Sequence, residues 1–299
     1  MPTNQGSIRL FRLAGIDVFL HWSWFLVAFY EISERSSQYR SLAWNAAEYL
    51  ALFAIVTLHE FGHSLACRQV GGRADKVVLW PLGGVAYVDP PQRPGATLWS
   101  IAAGPLVNVA LVPVMVGLAF LGRTLGAPAA LPDAMACLRA VAYINVGMLI
   151  FNLLPVYPLD GGQILRSLLW FPLGRARSLT VATSLGFLGV AGLLALAALA
   201  GSPWLGILAV FVAINCWRGF QHSRALTRLA ALPRRPGYWC PSCGASPPTG
   251  SYWACGRCRA PFDTFETNAS CPSCGLAFGE TRCVDCGRSS PIGEWARPR

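Results

Sequence analysis

HEFGH, at residues 59–63, is the run of residue types most able to do chemistry in this chain. His59 and His63 lie four apart, so on a helix their imidazoles project from one face and can clamp one zinc ion. Glu60 sits beside them and can accept a proton from metal-bound water, whose pKa zinc lowers to about 7. With four histidines among 299 residues, chance would produce this pattern on the order of 0.001 times. The set suits metal-assisted hydrolysis. A catalytic zinc takes three protein ligands and keeps a fourth position open, so one more ligand must come from elsewhere. Asp160 is the strongest candidate: it sits in NLLPVYPLDGG, residues 152–162, where Pro155 and Pro158 break an apolar segment. A carboxylate on irregular backbone inside a membrane implies a polar cavity. His21 lacks such support and reads as a packed or interfacial histidine.

A second metal-binding pattern lies in the last 60 residues. Cys240, Cys243, Cys255 and Cys258 have the spacing C-x2-C-x11-C-x2-C, and Cys271, Cys274, Cys283 and Cys286 the spacing C-x2-C-x8-C-x2-C. Four C-x2-C knuckles are a strong zinc signal, and the repeat of CPSCG at 240–244 and 271–275 marks an internal duplication. Sequential pairing keeps each loop short, so two separate ribbons, each with one structural zinc, are expected. A disulfide framework is disfavoured by the reducing cytoplasm in which the charge pattern places this tail. So small a unit has too little core to fold alone, and structural zinc supplies the missing stability. Arg257, Arg259, Arg282 and Arg288 are nearly balanced by Asp263, Glu266, Glu280 and Asp285, which argues against nucleic acid and for a protein regulator as partner. Cys67, Cys137 and Cys216 have no metal spacing and read as buried thiols.

The elements that must position these groups are mostly membrane helices. Hydrophobic residues make up 54% of the chain and charged residues only 13%, about half the share of a soluble domain. Six apolar segments are predicted, near 16–30, 46–66, 98–121, 135–155, 179–200 and 204–219, placing HEFGH near one end of the second. The stretch KVVLWPLGGVAYVD reads as a hairpin or re-entrant strand pair, or else as an interfacial loop. All but one of the 24 basic residues are arginine, Lys76 being the exception, and the net charge of +10 reflects basic cytoplasmic loops rather than nucleic-acid binding. Arg68, Arg73, Lys76 and Arg93 follow the second segment, and Arg166, Arg175 and Arg177 follow the fourth. With an even count of segments, the positive-inside tendency puts both termini, and the tail, in the cytoplasm. Loops near 38 and 128 then face outward, and loops near 75 and 172 face inward. No small-residue cleavage site follows the first apolar run, so that run is expected to stay in the mature chain.

HEFGH at 59–63, PLGG at 81–84, AAGPLVN at 102–108 and NLLPVYPLDGG at 152–162 together resemble the site-2 protease family of intramembrane metalloproteases. The resemblance covers roughly residues 8–220. It implies an α-helical polytopic membrane protein of about six transmembrane helices, a metalloprotease domain over 1–232, followed here by a double zinc ribbon over 233–299. It further implies Glu60 as general base, Asp160 as third zinc ligand beside His59 and His63, and Asn152 bonding the substrate carbonyl or its oxyanion. Gly83 and Gly84 look like the family's membrane hairpin, which pairs with unwound substrate by strand addition, while Gly104, Pro105 and Asn108 read as helix packing near the site. The implied activity is hydrolysis of peptide bonds in or near the transmembrane segment of a single-pass membrane protein, by a multi-pass protein of the cell membrane in contact with lipid. A catalytically inactive adaptor or metal-handling protein is the alternative, and an intact Glu60, which metal binding does not need, argues for the enzyme.

Overall fold

The computed structural model describes residues 6–34, 39–80 and 83–296; Pro81 and Leu82 of PLGG and the loop expected near residue 38 lie outside them. The chain opens with two antiparallel strands, β1 (Ser7–Leu13) and β2 (Ile16–His21), turned at Ala14 and Gly15, both with positive φ. Helices α1 (Ser23–Glu34) and α2 (Leu42–Gln69) follow, then β3 (Arg73–Trp80) and β4 (Gly83–Asp89). The remaining helices are α3 (Pro94–Thr124), α4 (Ala127–Ala130), α5 (Pro132–Leu153), α6 (Asp160–Ala200) and α7 (Pro203–Ala230).

Among the described residues five helices, α2, α3, α5, α6 and α7, are long and apolar enough to cross a membrane. The 22 residues of α5, at 1.5 Å per residue, already match a hydrocarbon core of about 30 Å. Their most apolar stretches are only 17–22% buried in α3, α5, α6 and α7 but 50% buried in α2. Side chains such as Phe120, Leu188 and Leu199 therefore face outward and need lipid, while α2 is the innermost helix, packed on α3, α5, β3 and β4.

The first expected span is corrected by the structure. Residues 16–21 form β2, and α1 has only 12 residues, about 18 Å of helix, too short to cross the bilayer unaided. Strand burial alternates, with Ile16, Val18 and Leu20 inward and Asp17 and Phe19 half-buried, because one face of the sheet packs on α2. Five candidate spans among the described residues do not by themselves set the side on which the termini lie. The connection expected near 172 is reduced to a break at Gly174, whose φ of 76° and ψ of 173° are non-helical, so α6 is two helical stretches joined at a kink beside Pro172.

The hairpin expected over 76–89 is present as β3 and β4, and it joins β1 and β2 in one sheet of order β1-β2-β3-β4, with β2 parallel to β3. Strand β4 is therefore an edge. Ile16, Val18, Leu20, Val77 and Leu79 of the sheet bury against Trp24 of α1 and against Val56 and Phe61 of α2, which locks the sheet to the helix carrying HEFGH.

The tail holds two short hairpins, β5 (Trp253–Ala254) with β6 (Pro261–Phe262) and β7 (Thr281–Arg282) with β8 (Ser289–Ser290), before helix α8 (Ile292–Trp295). Its cysteines do not pair in sequence order. Cys240 and Cys243 meet Cys283 and Cys286, and inside that pair Cys255 and Cys258 meet Cys271 and Cys274. The sequential ribbons expected from the repeated CPSCG lead-in and from loop length are thus replaced by a nested pair. The longer closure costs only about 1 kcal/mol. Nesting lets Tyr238, Phe265 and Trp295 stack edge to face at 5.0 and 5.1 Å beside the outer cysteines, with Trp295 fully buried. Burying one large apolar side chain is worth about 1.5–3 kcal/mol, enough to decide the pairing.

Candidate metal centre and active site

Helix α2 presents His59 and His63 from one face, both buried, and α6 begins at Asp160 directly opposite them. The break between α5 and α6, residues 154–159, is the irregular stretch read from Pro155 and Pro158, although Asp160 itself occupies the first helical position. Asp160 Oδ2 lies 3.0 Å from His59 Nε2 and 3.4 Å from His63 Nε2, and the two Nε2 atoms are 3.1 Å apart.

The partners of the other ring nitrogens bear on what this triangle could hold. His59 Nδ1 lies 2.6 Å from Asn108 Oδ1, and His63 Nδ1 lies 2.9 Å from the Ser100 carbonyl oxygen. Both partners are acceptors, so each Nδ1 carries the proton and donates it. In the neutral rings each Nε2 is then a bare lone pair. Two lone pairs and a carboxylate converging within 3.4 Å repel one another unless a cation lies among them. A tetrahedral zinc with bonds of about 2.0–2.1 Å requires edges of about 3.3–3.4 Å, close to the distances observed. The donor set fits zinc, with Nδ1–H to carbonyl bonds of the kind that orient metal-bound histidines.

Glu60 reaches toward β4 beside the triangle. Its Oε2 accepts a hydrogen bond of 2.8 Å from the backbone N–H of Ala86, and the residue is only 5% exposed. An edge strand thus fixes the carboxylate in one place and leaves Oε1 for other work. Two glycines make the close packing possible. A Cβ on Gly84 would collide with the Glu60 side chain, and one on Gly104 would strike His63 and approach His59 Nε2 to 2.9 Å. The glycines of PLGG and AAGPLVN therefore give room to the base and to the ligands respectively.

Asn108 does more than the packing expected of it. It is fully buried, holds His59 by its Oδ1, donates from Nδ2 to Asn145 Oδ1 at 2.8 Å, and its carbonyl accepts from Asn145 Nδ2 at 3.0 Å. This two-asparagine clasp joins α3 and α5 behind the metal ligand. The sequence signal was two asparagines within otherwise apolar helices, a costly placement that marks function. Asn152 is half-buried near the end of α5, and no hydrogen bond joins it to His59, His63 or Asp160. His21 stacks on Trp80 with ring centroids 4.3 Å apart and lies outside the ligand cluster. Cys67, Cys137 and Cys216 are buried thiols, as expected.

In the tail, sulfur pairs stand 3.7 Å (Cys240–Cys286) and 3.8 Å (Cys243–Cys283) apart in the outer cluster and 3.6 Å (Cys255–Cys274, Cys258–Cys271) in the inner one. A tetrahedron with Zn–S bonds of about 2.3 Å has edges of about 3.8 Å. Hydrogen bonds from Cys243 and Cys283 hold the Cys240 thiol far below its ordinary range, while the Cys240 sulfur pushes the Cys243 thiol up to about 12. Only a cation lets all four ionise together. Each knuckle repeats one turn: the first cysteine N–H bonds the carbonyl five residues on, and the residue four after it takes positive φ. That residue is Gly244, Gly275 or Gly287 in three knuckles and Arg259 in the fourth, which explains the recurring CPSCG.

Comparison with known proteins supplies the context. The sequence matches the description of peptidase family M50 over residues 47–126 and 124–196, a span that contains all three candidate ligands. A zinc metalloprotease of Methanocaldococcus jannaschii is 35% identical over 182 residues, which are 60% of this chain and 50% of that protein. Stage IV sporulation protein FB of Bacillus subtilis is 30% identical over 178 residues, 58% of each chain. The chain thus spans only about half the length of these relatives. Among solved structures, a site-2 protease from Methanocaldococcus jannaschii superposes with a TM-score of 0.51 at 27% identity, covering 72% of this chain and 95% of that one.

Proposed function

This chain belongs to peptidase family M50, and from that membership we propose that it is an intramembrane zinc metalloprotease that hydrolyses peptide bonds in or near the transmembrane segment of single-pass membrane proteins. The observation that carries the reading is Glu60, held at Oε2 by Ala86 N–H one residue along α2 from His59, with no hydrogen bond to Oε1 among the described residues. A metal-handling protein would need the ligands but not this carboxylate.

His59, His63 and Asp160 hold the zinc, with Asn108 and the Ser100 carbonyl fixing the two rings. When bound, zinc supplies a Lewis acid that polarises the scissile carbonyl and lowers the pKa of the attacking water to about 7. Glu60 takes the proton of that water at Oε1 and returns it to the leaving amine. Strand β4, an edge of the sheet whose Ala86 N–H faces Glu60, receives the unwound substrate by strand addition and aligns its backbone with the ligands. Asn152 is the candidate donor to the substrate carbonyl or its oxyanion.

The metalloprotease domain occupies 1–232 and the tail 233–299, where two structural zinc ions complete the nested cysteine clusters. Arg218, Arg224 and Arg228 in the second half of α7, with Arg234 and Arg235 beyond its end, favour the cytoplasm for the tail under the positive-inside tendency. The tail then meets the substrate's cytoplasmic part or a protein regulator. Purified protein in detergent should cut single-pass membrane proteins within or beside the membrane segment. Failure to cut any of a panel carrying helix-breaking residues would overturn the reading.

A further inference from the structure

The tail is fixed to the membrane domain at defined points. Arg175, next to the bend in α6, donates to the Asp285 carbonyl at 2.5 Å, and Arg234 of the tail, which grips both carboxylate oxygens of Asp285 at 2.7 and 3.1 Å, also donates to the Leu229 carbonyl of α7 at 2.8 Å. Farther along, Arg93 donates to the Ser242 carbonyl at 3.3 Å. Beside this last contact lies a cleft of about 1280 Å³, walled on one side by the ends of β4 and α2 and the start of α3, and on the other by the outer zinc knuckles.

The charge in the cleft is unbalanced. Arg73 and Arg93 line it from the membrane domain and Arg282 and Arg288 from the tail, against only Asp89 and Glu280. Among the described residues none of these six groups forms an ion pair. Nη2 of Arg288 is buried and has no hydrogen-bond partner among the described residues. A buried guanidinium nitrogen left unpaired is costly, and carboxylates are its natural partners.

The cleft is also continuous with the edge strand. Ala86, which holds Glu60, is three residues from Asp89 at the cleft wall, about 10 Å of extended chain. A polypeptide paired along β4 would leave the active site and enter the cleft within about three to six residues. We propose that this cleft receives the segment flanking the scissile bond and selects acidic side chains there, an inference that rests on the proteolytic reading above. It works as a filter because membrane proteins commonly carry Lys and Arg on the cytoplasmic flank, which four arginines outside any ion pair among the described residues repel.

Full-length protein in a neutral detergent should be tested against three labelled single-pass peptides, identical except for Asp/Glu, Ser/Gly or Lys/Arg three to six residues from the scissile bond on each side in turn. Binding by fluorescence anisotropy should favour the acidic over the basic flank about tenfold or more, on one side only, and less so at high salt. The Arg73→Glu, Arg93→Glu double variant, with unchanged zinc content as a control for folding, should reverse the order. Equal affinities for the three peptides, or an order the double variant leaves intact, overturn the assignment. An order seen equally on both sides of the scissile bond also overturns it. If affinities are ordered as stated but no peptide is cut, the cleft stands and the proteolytic reading fails.

Discussion

Replacing Asn108 tests the metal centre without touching a ligand. In Asn108→Leu the His59 Nδ1–H loses its 2.6 Å acceptor in a place with no access to water. A buried donor left unpaired costs about 1–3 kcal/mol, and because the ring is then free to turn or to place its proton on Nε2, much of that cost falls on metal binding. This converts to a loss of roughly 5- to 150-fold in affinity, in the range of about 10–100-fold typical for partners behind a metal-bound histidine. Asn108→Asp keeps an acceptor at the same place and should retain most of the affinity. Zinc per chain, followed against increasing chelator, should give one equivalent for the membrane site and two for the tail. In the Leu variant the single equivalent should be released at a lower chelator concentration while the other two are unmoved. A folded Leu variant with wild-type release, or an Asp variant as impaired as Leu, would refute the argument.

Two glycine substitutions should separate base from ligands. Gly84→Ala displaces Glu60 and should reduce turnover with zinc retained, whereas Gly104→Ala intrudes on His63 and His59 and should lower zinc occupancy, both read by metal analysis beside a peptide assay. The nested tail predicts that Cys240→Ser combined with Cys283→Ser removes one zinc ion, because both cysteines serve the same cluster. Loss of two ions in native mass spectrometry would restore the sequential pairing. Stripping zinc from the tail should also disorder the Tyr238–Phe265–Trp295 stack, seen as a change in tryptophan fluorescence.

The chemistry was more legible in the sequence than its support. HEFGH and the Asp160 motif are local patterns whose spacing limits the geometry, and the hairpin over 76–89 carries its own turn signals. The strand Ile16–His21 was hidden because its apolar run continues into α1, so its period-2 alternation was taken for the start of a membrane helix. Asn108 read as packing because no spacing rule tells which polar group on α3 turns toward α2. The cysteine pairing was open for a different reason. Loop closure separates sequential from nested clusters by only about 1 kcal/mol, and the contacts of Trp295 that outweigh it come from the far end of the tail.

The central claim is that Glu60 acts on the substrate while His59, His63 and Asp160 hold the metal. The direct measurement sets wild-type protein beside Glu60→Gln on one single-pass substrate in detergent, with zinc content and cut site determined in the same samples. The amide lacks the carboxylate's basicity, and general-base catalysis contributes about 10²–10⁴-fold. Turnover should therefore fall by at least about a hundredfold, with the full zinc complement retained and the wild-type cut mapping in or next to the membrane segment. Wild-type turnover by Glu60→Gln at the same cut site, or loss of zinc in step with activity, would contradict the account.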